Sequence, residues 1–318
     1  IIKLTSMGDL MHALPAITEA KKEIPDIKFD WVVDTNFSSV PSWHPAINKV
    51  IETNHREWKL NLFSSRSRKA IKNVINTVNG TDYDFIIDMQ NNLKSAFISF
   101  LCKDSVTGMD SRSSREYPAH LAYGKKAYIP KDMHAIERQK MLLAFALGYK
   151  TSHSLVEYGI SKQKFVKPIF DFPEQFVVCV QNASWKTKQW PIENWKDIVR
   201  ALSEHGLTML FPSGNKHELE RAIEICSVSK KAIALEVMSL NEIAFLIDKA
   251  KFSLCSDTGL AHLSAVTSTP SLTFYGPTAT NLIGTRGENQ NHLVANDGDL
   301  KNLDTEVVLN KLKELNFI

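Results

Sequence analysis

Apolar positions recur along the chain in two periods, and each period predicts one kind of element. Short apolar runs between turn residues predict buried strands, and apolar positions three and four apart predict helices. In the first half we predict strands at 1–4, 29–33, 49–52 and 83–88, and helices at 10–24, 65–78, 93–101 and 135–147. Strand and helix signals therefore alternate, as they do in βαβ units.

The alternation begins again in the second half of the chain. Strands are predicted at 176–181, 207–211, 232–235, 252–255 and 271–275, and helices at 195–204, 216–226, 240–250, 260–267 and after an N-cap at Asp304 or Thr305. Two βαβ series predict an α/β protein of two Rossmann-like domains with parallel sheets. Such sheets bind ligands at the carboxyl ends of their strands, and two of them facing each other form a cleft.

The boundaries follow from the same pattern. A chain of 318 residues is long enough for about two domains. We predict a first domain over 1–155, a linker over 156–173, a second domain over 174–302, and a C-terminal helix within 303–318 that packs back on the first domain. The sequence opens on Ile1 instead of methionine, so we expect a few residues of the first strand to precede it.

Composition excludes several classes of protein. Hydrophobic residues are 43% and charged residues 23%, which excludes disordered, collagen-like and coiled-coil chains. The four cysteines form neither a C-x-x-C pair nor a zinc spacing, so we expect reduced thiols in a cytoplasmic protein. There is no signal peptide and no apolar run of about 20 residues.

Charge is distributed unevenly between the two halves. Residues 1–160 hold 21 Lys and Arg against 17 Asp and Glu, net +4, and residues 161–318 hold 17 against 18, net −1. A basic first half is typical of a protein with an anionic partner there, although a chance imbalance of a few charges explains it equally well.

The first candidate site is the turn 5–9, between the first strand and the first helix. Gly8 allows the backbone to approach a ligand closely, and with Ser6 it lies at a helix N-terminus, which attracts anions. Asp9 is placed to accept a proton, or serves only as an N-cap. No G-x-G-x-x-G motif is present, so a dinucleotide fingerprint is excluded here.

The second candidate site is the segment 256–262, where a strand enters a helix. The backbone N–H groups of Thr258 and Gly259 fit a diphosphate, and Asp257 can accept hydrogen bonds from hydroxyls. His262 follows one turn into that helix. The alternative is helix capping with a buried histidine.

Two further residues follow strands of the second half. Lys188 can neutralise a leaving phosphate, and Glu218 can hold the two hydroxyls of a ribose. Taken singly, a solvated lysine and a carboxylate at a helix N-terminus explain them as well.

A basic segment lies in the first half. Residues 56–72 hold six Lys and Arg, including Arg56 and Lys59, and one acid, with Trp58 and other apolar residues interleaved. Arg112 and Arg115 lie outside this segment and are expected to add to its positive charge. Such a segment fits an anionic sugar, a phosphorylated lipid or nucleic acid, or is a solvated helix face.

These motifs resemble the heptosyltransferases of glycosyltransferase family 9. The matching blocks are 3–16, 188–191 (Lys-Gln-Trp-Pro), 257–262 (Asp-Thr-Gly-Leu-Ala-His) and 275–278, in the family's order. The blocks 41–46 and 56–59 favour the type I branch, which adds the first heptose. The likeness covers nearly the whole chain.

The resemblance implies the GT-B fold and inverting transfer of L-glycero-D-manno-heptose from ADP-heptose to Kdo on Kdo₂-lipid A. It implies a cytoplasmic enzyme at the inner face of the inner membrane, with neither metal nor cofactor and no nucleic-acid partner. The implied general base is Asp9. The implied donor contacts are Ser184, Lys188, Glu218, Met238, Asp257, Thr258, Gly259 and His262, with Ser6 and Gly8 near the diphosphate; the implied acceptor contacts are Arg56, Lys59 and Arg115.

Departures and rivals are visible in the same residues. Ala183-Ser184 stands where family members often carry two threonines, and Glu57 and Leu60 replace basic residues of the acceptor segment. The rivals are a heptosyltransferase acting on a later core heptose, a nucleotide-sugar epimerase and a non-enzymatic lipid A-binding module. The basic segment argues against the first two, and the residues of the second half argue against the third.

Overall fold

The computed structural model describes residues 1–61, 64–152, 155–183 and 185–318. Contacts divide the chain into two compact units, residues 1–161 and 162–318. The division falls inside the segment 156–173 that the sequence suggests as a linker. Within these described ranges, no helix combines the length and the apolar character that a membrane crossing requires.

The first unit contains five strands and seven α-helices among its described residues. The strands are β1 (Phe29–Asp34), β2 (Ile47–Thr53), β3 (Ile86–Ile87), β4 (Val106–Met109) and β5 (Lys125–Ala127). The helices are α1 (Met7–Met11), α2 (Leu14–Glu23), α3 (Ser39–Ser42), α4 (His55–Leu60), α5 (Ser65–Asn79), α6 (Leu93–Leu101) and α7 (Ala135–Leu147).

The extended N-terminal segment joins the strands of the first unit into one parallel arrangement. Ile2 bridges Val32 of β1 on one side and Asp88, just after β3, on the other. Its N–H donates to the Ile87 carbonyl at 2.8 Å, and the Lys3 N–H donates to the Val32 carbonyl at 3.1 Å. With the pairs β1–β2 and β3–β4–β5, the spatial order is 3-2-1-4-5-6, counting this segment as the first strand.

The second unit repeats that order in one six-stranded parallel sheet, β11-β10-β9-β6-β7-β8. The strands are β6 (Phe176–Val180), β7 (Thr208–Ser213), β8 (Ala232–Val237), β9 (Phe252–Ser256), β10 (Ser271–Tyr275) and β11 (Gln290–Val294). The helices are α8 (Ile192–Glu204), α9 (Lys216–Cys226), α10 (Leu240–Lys249), α11 (Gly259–Thr267), α12 (Thr280–Ile283) and α13 (Thr305–Glu314). Both units are therefore Rossmann-like, as predicted.

Aromatic residues form the centre of the second unit's core. Trp190, Trp195 and Phe274 are fully buried, with the rings of Trp190 and Phe274 4.9 Å apart. Val308 and Leu312 of α13 belong to the same buried cluster. The C-terminal helix is therefore part of the second unit, and the expectation that it packs back on the first domain stays a prediction.

The predicted helix over 10–24 is two helices in the structure. Helix α1 ends at Met11 and α2 begins at Leu14, with Pro15 in its first turn. Proline lacks an N–H and its ring collides with the carbonyl four residues earlier, so it begins a helix more readily than it continues one. Three short strands that periodicity did not predict, β4, β5 and β11, are three to five residues long.

Substitution of Val308 should destabilise the second unit, whereas the same change at its neighbour should not. Val308→Ala removes two buried carbons and should lower the free energy of unfolding by about 2 kcal/mol. Val307 is 48% exposed, so Val307→Ala should change the free energy of unfolding by less than about 0.5 kcal/mol. Urea unfolding followed by tryptophan fluorescence measures both. Equal effects at the two positions would contradict the placement of α13 in this core.

Candidate active site

Asp9 lies in the first turn of α1, at the carboxyl end of the N-terminal strand segment. Its Oδ2 accepts hydrogen bonds from the backbone N–H and the hydroxyl of Ser6, both at 3.1 Å. Ser6 is the N-cap of this helix, so Asp9 caps it from the third helical position and is not itself the N-cap. Gly8 is buried beneath this turn.

Two cations act on the Asp9 carboxylate. The guanidinium of Arg115 is 3.3 Å from Oδ2, and the ammonium of Lys3 is buried nearby, donating to the Met89 carbonyl at 2.9 Å. Burial of Asp9 works to raise its pKa, but the charges of Lys3 and Arg115 and the hydrogen bonds from Ser6 outweigh it and lower the pKa below 3.8. Burial also lowers the pKa of Lys3 to about 8. Asp9 is therefore ionised at neutral pH.

A buried polar network anchors the backbone that carries Arg115. Asp88 is fully buried and accepts hydrogen bonds from the N–H groups of Gln90 and Asn91 at 2.8 and 2.9 Å. The Asn91 carbonyl in turn accepts from the Arg115 N–H at 3.0 Å. Sequence reasoning missed both Lys3 and this network, since nothing in the local pattern shows that residues 88–91 and 115 are neighbours.

The basic segment forms α4 and the beginning of α5. The side chains of Arg56 and Lys59 lie outside the described part of the structure. A cavity of about 380 Å³ in the first unit is lined by Glu57, Arg66 and residues at and after the ends of β1 and β2. Glu57 pairs with Arg66 at 3.2 Å, so the one acid of this segment partly neutralises one of its cations.

In the second unit, Asp257 lies directly after β9, and its carboxylate contacts residues of two other loops. Its Oδ2 pairs with the ammonium of Lys188 at 2.8 Å and accepts a hydrogen bond from the Thr278 hydroxyl. Asp257 is almost completely buried, and the Lys188 side chain is about one quarter exposed. Among the residues that the structure describes, Asp257 Oδ1 receives no hydrogen bond, which leaves this oxygen available to a ligand hydroxyl.

Close backbone packing fixes the loop that carries Lys188. A Cβ on Gly276 would lie 3.1 Å from the Thr187 carbonyl oxygen and 3.0 Å from that of Gly298, so glycine lets this loop approach β10. On its other side, Arg221 donates to the Gln181 side chain and to the Trp190 carbonyl, both at 2.6 Å. The roles of Gln181 and Arg221 were not predicted from the sequence.

The remaining donor-side candidates follow neighbouring strands of the same sheet. Glu218, after β7, accepts a hydrogen bond from the Gly214 N–H at 2.8 Å, while its own N–H donates to the N-cap Asn215. Met238 follows β8 and is half-buried. Because all six strands are parallel, their carboxyl ends lie along one edge of the sheet.

Thr258 and Gly259 begin α11 at that same edge, with Thr258 as N-cap, and His262 is buried within the helix. Ser184 lies outside the described residues. Sequence reasoning thus selected residues that the sheet gathers at one edge, close to the order-reversal point between β6 and β9 where such sheets bind ligands.

Comparison with known proteins identifies the family. The model of glycosyltransferase family 9 (heptosyltransferase) matches residues 71–313. The chain belongs to glycosyltransferase family 9. It is 38% identical over 319 residues to lipopolysaccharide heptosyltransferase 1 of Escherichia coli K12, covering 99% of each chain. It is 34% identical to the protein of the same name from Pseudomonas aeruginosa, over 92% of this chain and 82% of that one.

Solved structures agree with this assignment. The structure of E. coli heptosyltransferase WaaC with ADP matches with a TM-score of 0.92 and 36% identity, covering 99% of this chain and 98% of that one. WaaC with ADP-2-deoxy-2-fluoro heptose matches with a TM-score of 0.90 and 35% identity, covering 98% of both chains. The family 9 chain is thus a glycosyltransferase of the GT-B fold, and the predicted fold class is confirmed.

The described residues of this glycosyltransferase contain no group of three or more His, Cys, Asp or Glu side chains placed to hold a metal ion. Among the described residues, Arg115 and Lys3 are the cations beside Asp9, and Lys188 is the cation beside Asp257.

Removal of the Arg115 charge should raise the pKa of Asp9. Asp9 now contributes stability above its unfolded-state pKa, and this contribution is lost as the pH falls through its lower folded-state pKa. In Arg115→Gln the folded pKa moves up toward the unfolded-state value, so Asp9 contributes less stability above that value and less is lost when the protein is acidified. Carbon-13 NMR of labelled aspartate carboxyl groups measures the titration, with the Asp9 signal assigned from Asp9→Asn.

Arg112→Gln is the matched control for this titration. Arg112 pairs with Asp110 at 3.2 Å. Removal of the Arg112 charge should therefore raise the pKa of Asp110 and leave the pKa of Asp9 unchanged. An Asp9 pKa that stays the same in Arg115→Gln would contradict the electrostatic account of this site.

Proposed function

We propose that this glycosyltransferase moves L-glycero-D-manno-heptose from ADP-heptose to a Kdo residue of Kdo₂-lipid A during synthesis of the lipopolysaccharide inner core. The full-length likeness to lipopolysaccharide heptosyltransferase 1 supports the reaction, and a similar protein is known with ADP and with an ADP-heptose analogue. The observation that carries the proposal is that each unit holds one charged centre at its sheet edge: an ionised carboxylate, Asp9, in the first unit, and the cation Lys188 in the second.

The donor contacts follow the strands of the second unit. Lys188 and the N-terminus of α11, at Thr258 and Gly259, bind the diphosphate, because both carry positive charge. Glu218 binds the ribose hydroxyls and Met238 lies against the adenine. Asp257 Oδ1 accepts hydrogen bonds from the heptose, while Oδ2 keeps Lys188 in position. Ser184 and His262 complete the donor contacts of this unit, and the Ser6–Gly8 turn of the first unit is assigned to the diphosphate by the family resemblance alone.

The reaction is an in-line displacement with inversion. Asp9 takes the proton from a Kdo hydroxyl as that oxygen attacks the anomeric carbon of the heptose. The bond from this carbon to the diphosphate oxygen breaks, and ADP leaves with the electron pair, its added charge stabilised by Lys188. A positioned base typically contributes about 10²–10⁴-fold to the rate, and stabilisation of the leaving charge contributes a comparable factor.

The acceptor is bound by the cations of the first unit. Arg56 and Lys59 bind the acidic sugar and the lipid phosphates, and Arg115 binds the Kdo carboxylate. Since Arg115 also contacts Asp9, an acceptor carboxylate that draws Arg115 away raises the proton affinity of Asp9 when the proton must move. The enzyme then works in the cytoplasm, at the inner surface of the inner membrane.

Mass spectrometry of the lipid product tests the proposed reaction directly. Incubation with ADP-heptose and Kdo₂-lipid A should add the mass of one heptose to the lipid and release one ADP. A heptose-terminated core lipid, offered separately, should remain unchanged. Transfer to that lipid alone would establish the enzyme as one that extends a later core heptose, and ADP release without a lipid product would contradict both readings.

Lys188→Ala should slow turnover by roughly 10²-fold, because it removes one charge-assisted contact to the leaving phosphate. The neighbouring Lys186 is exposed in the same loop, so Lys186→Ala serves as the control and should retain normal turnover. Initial rates of ADP release at saturating donor measure both variants. A normal rate in Lys188→Ala would contradict the proposed contact between Lys188 and the leaving phosphate.

Arg56→Ala and Lys59→Ala should each raise KM for the lipid acceptor and leave KM for ADP-heptose nearly unchanged. A lost charge-assisted contact is worth roughly 1.5–3 kcal/mol, or about one to two orders of magnitude in affinity. The acceptor affinity of the unmodified enzyme should also weaken as salt is added. Steady-state kinetics with each substrate varied separately provide the measurement; a change confined to the donor KM would reverse the assignment of these residues.

A further inference from the structure

Helix α6 presents three of its large apolar residues to solvent. Leu93, Phe97 and Phe100 are 50%, 43% and 76% exposed, whereas Ser95 and Ser99 are buried on the other side. The spacing of the three apolar residues, at i, i+4 and i+7, places them on one stripe of the helix. A helix at the surface of a globular domain ordinarily shows the reverse arrangement, with the apolar stripe toward the core.

The segment beside α6 extends this apolar stripe. A short 3-10 helix, Ala119–Ala122, packs next to α6. Leu121 is exposed on this helix, and Tyr117 is exposed two residues before it begins. The Leu93 N–H donates to Glu116 at 2.9 Å, which ties the two segments together. We call these five side chains the outer apolar face: Leu93, Phe97, Phe100, Tyr117 and Leu121. Contiguous exposed apolar groups of this kind mark interaction surfaces.

Lysines outnumber acids around the outer apolar face, where the acid at its edge is Glu116. The segments 93–103 and 117–131 contain no Asp or Glu, and they contain five lysines: Lys94, Lys103, Lys125, Lys126 and Lys131. Lys103 pairs with Asp82 and the Lys125 ammonium lies 4.9 Å from the ring centre of Phe145 on α7, while Lys94, Lys126 and Lys131 are exposed. An apolar stripe flanked by lysines complements an anionic lipid surface, where apolar side chains enter the boundary region and lysines meet the headgroups.

We infer that the outer apolar face docks on the surface of an anionic lipid bilayer. This surface is separate from the basic segment 56–72 to which the acceptor was assigned, and it is continuous with the candidate base. Arg115, which pairs with Asp9, is followed directly by Glu116 and Tyr117. Docking here brings Asp9 and Arg115 close to the membrane in which a lipid acceptor is embedded; this last step rests on the proposed function.

Vesicle flotation with the full chain tests the docking surface. The unmodified protein should float with vesicles of phosphatidylcholine mixed with phosphatidylglycerol, and less with phosphatidylcholine alone. Phe97→Gln with Phe100→Gln should weaken this binding at least about tenfold, since two apolar side chains no longer enter the boundary region. Lys94→Gln with Lys126→Gln should weaken binding to the anionic vesicles by roughly 10- to 30-fold and reduce its dependence on salt.

The control is a pair of exposed apolar residues in the second unit. Ile169 and Ile223 are 101% and 55% exposed, so Ile169→Gln with Ile223→Gln should leave vesicle binding unchanged. Because the altered side chains are exposed, every variant should keep its fold. The melting temperature of each variant checks this. Normal flotation of the Phe97→Gln, Phe100→Gln variant would overturn the inference.

Two further outcomes are distinguishable. Sedimentation that shows a dimer in the unmodified protein and a monomer in the phenylalanine variant, with vesicle binding unaffected, would overturn the inference in favour of a second copy as partner. Transfer to a deacylated, water-soluble acceptor should be normal in the variant, and transfer to acceptor in vesicles should fall. Vesicle binding that depends on this face in a protein that transfers no heptose would support the inference and overturn the proposed function.

Discussion

Parallel pairing of every strand is the constraint on which the rest of this structure depends. In a parallel sheet all carboxyl ends lie along one edge, and the order 3-2-1-4-5-6 separates the loops after the first and fourth strands at its reversal point. In the first unit these loops carry Asp9 and the Asp88 network; in the second they carry Lys188 and Asp257. Residues distant in sequence therefore become neighbours without any local signal.

Electrostatic pairing gives each of these edges its chemistry. Asp9 lies between Arg115 and the buried Lys3, which hold its pKa low despite burial. Asp257 is nearly buried, with Lys188 and Thr278 on a single oxygen. In both places a carboxylate orients a cation, and in the proposed mechanism a substrate anion competes for that cation.

Periodicity predicted those elements that are long or fully buried. Helices α6, α7 and α9 and strand β10 have the predicted bounds, and the alternation of strands and helices was sufficient to predict two Rossmann-like units. It could not predict β5, whose Lys125 and Lys126 are exposed, or the break between α1 and α2 near Pro15. The motif residues Asp9, Lys188 and Asp257 were predictable, but Lys3, Asn91, Gln181 and Arg221 act through tertiary contacts that no spacing shows.

The kinetics of Asp9→Asn test the central claim most directly. Asparagine can still accept the hydrogen bond from Ser6 but is a negligible base, so the variant should stay folded, bind ADP-heptose normally and lose about 10²–10⁴-fold in kcat with little change in either KM. Asp110 is another carboxylate of this unit that pairs with an arginine, and Asp110→Asn should keep its activity. A folded Asp9→Asn enzyme whose kcat stays within about threefold of the unmodified enzyme would contradict the account of Asp9 as the base.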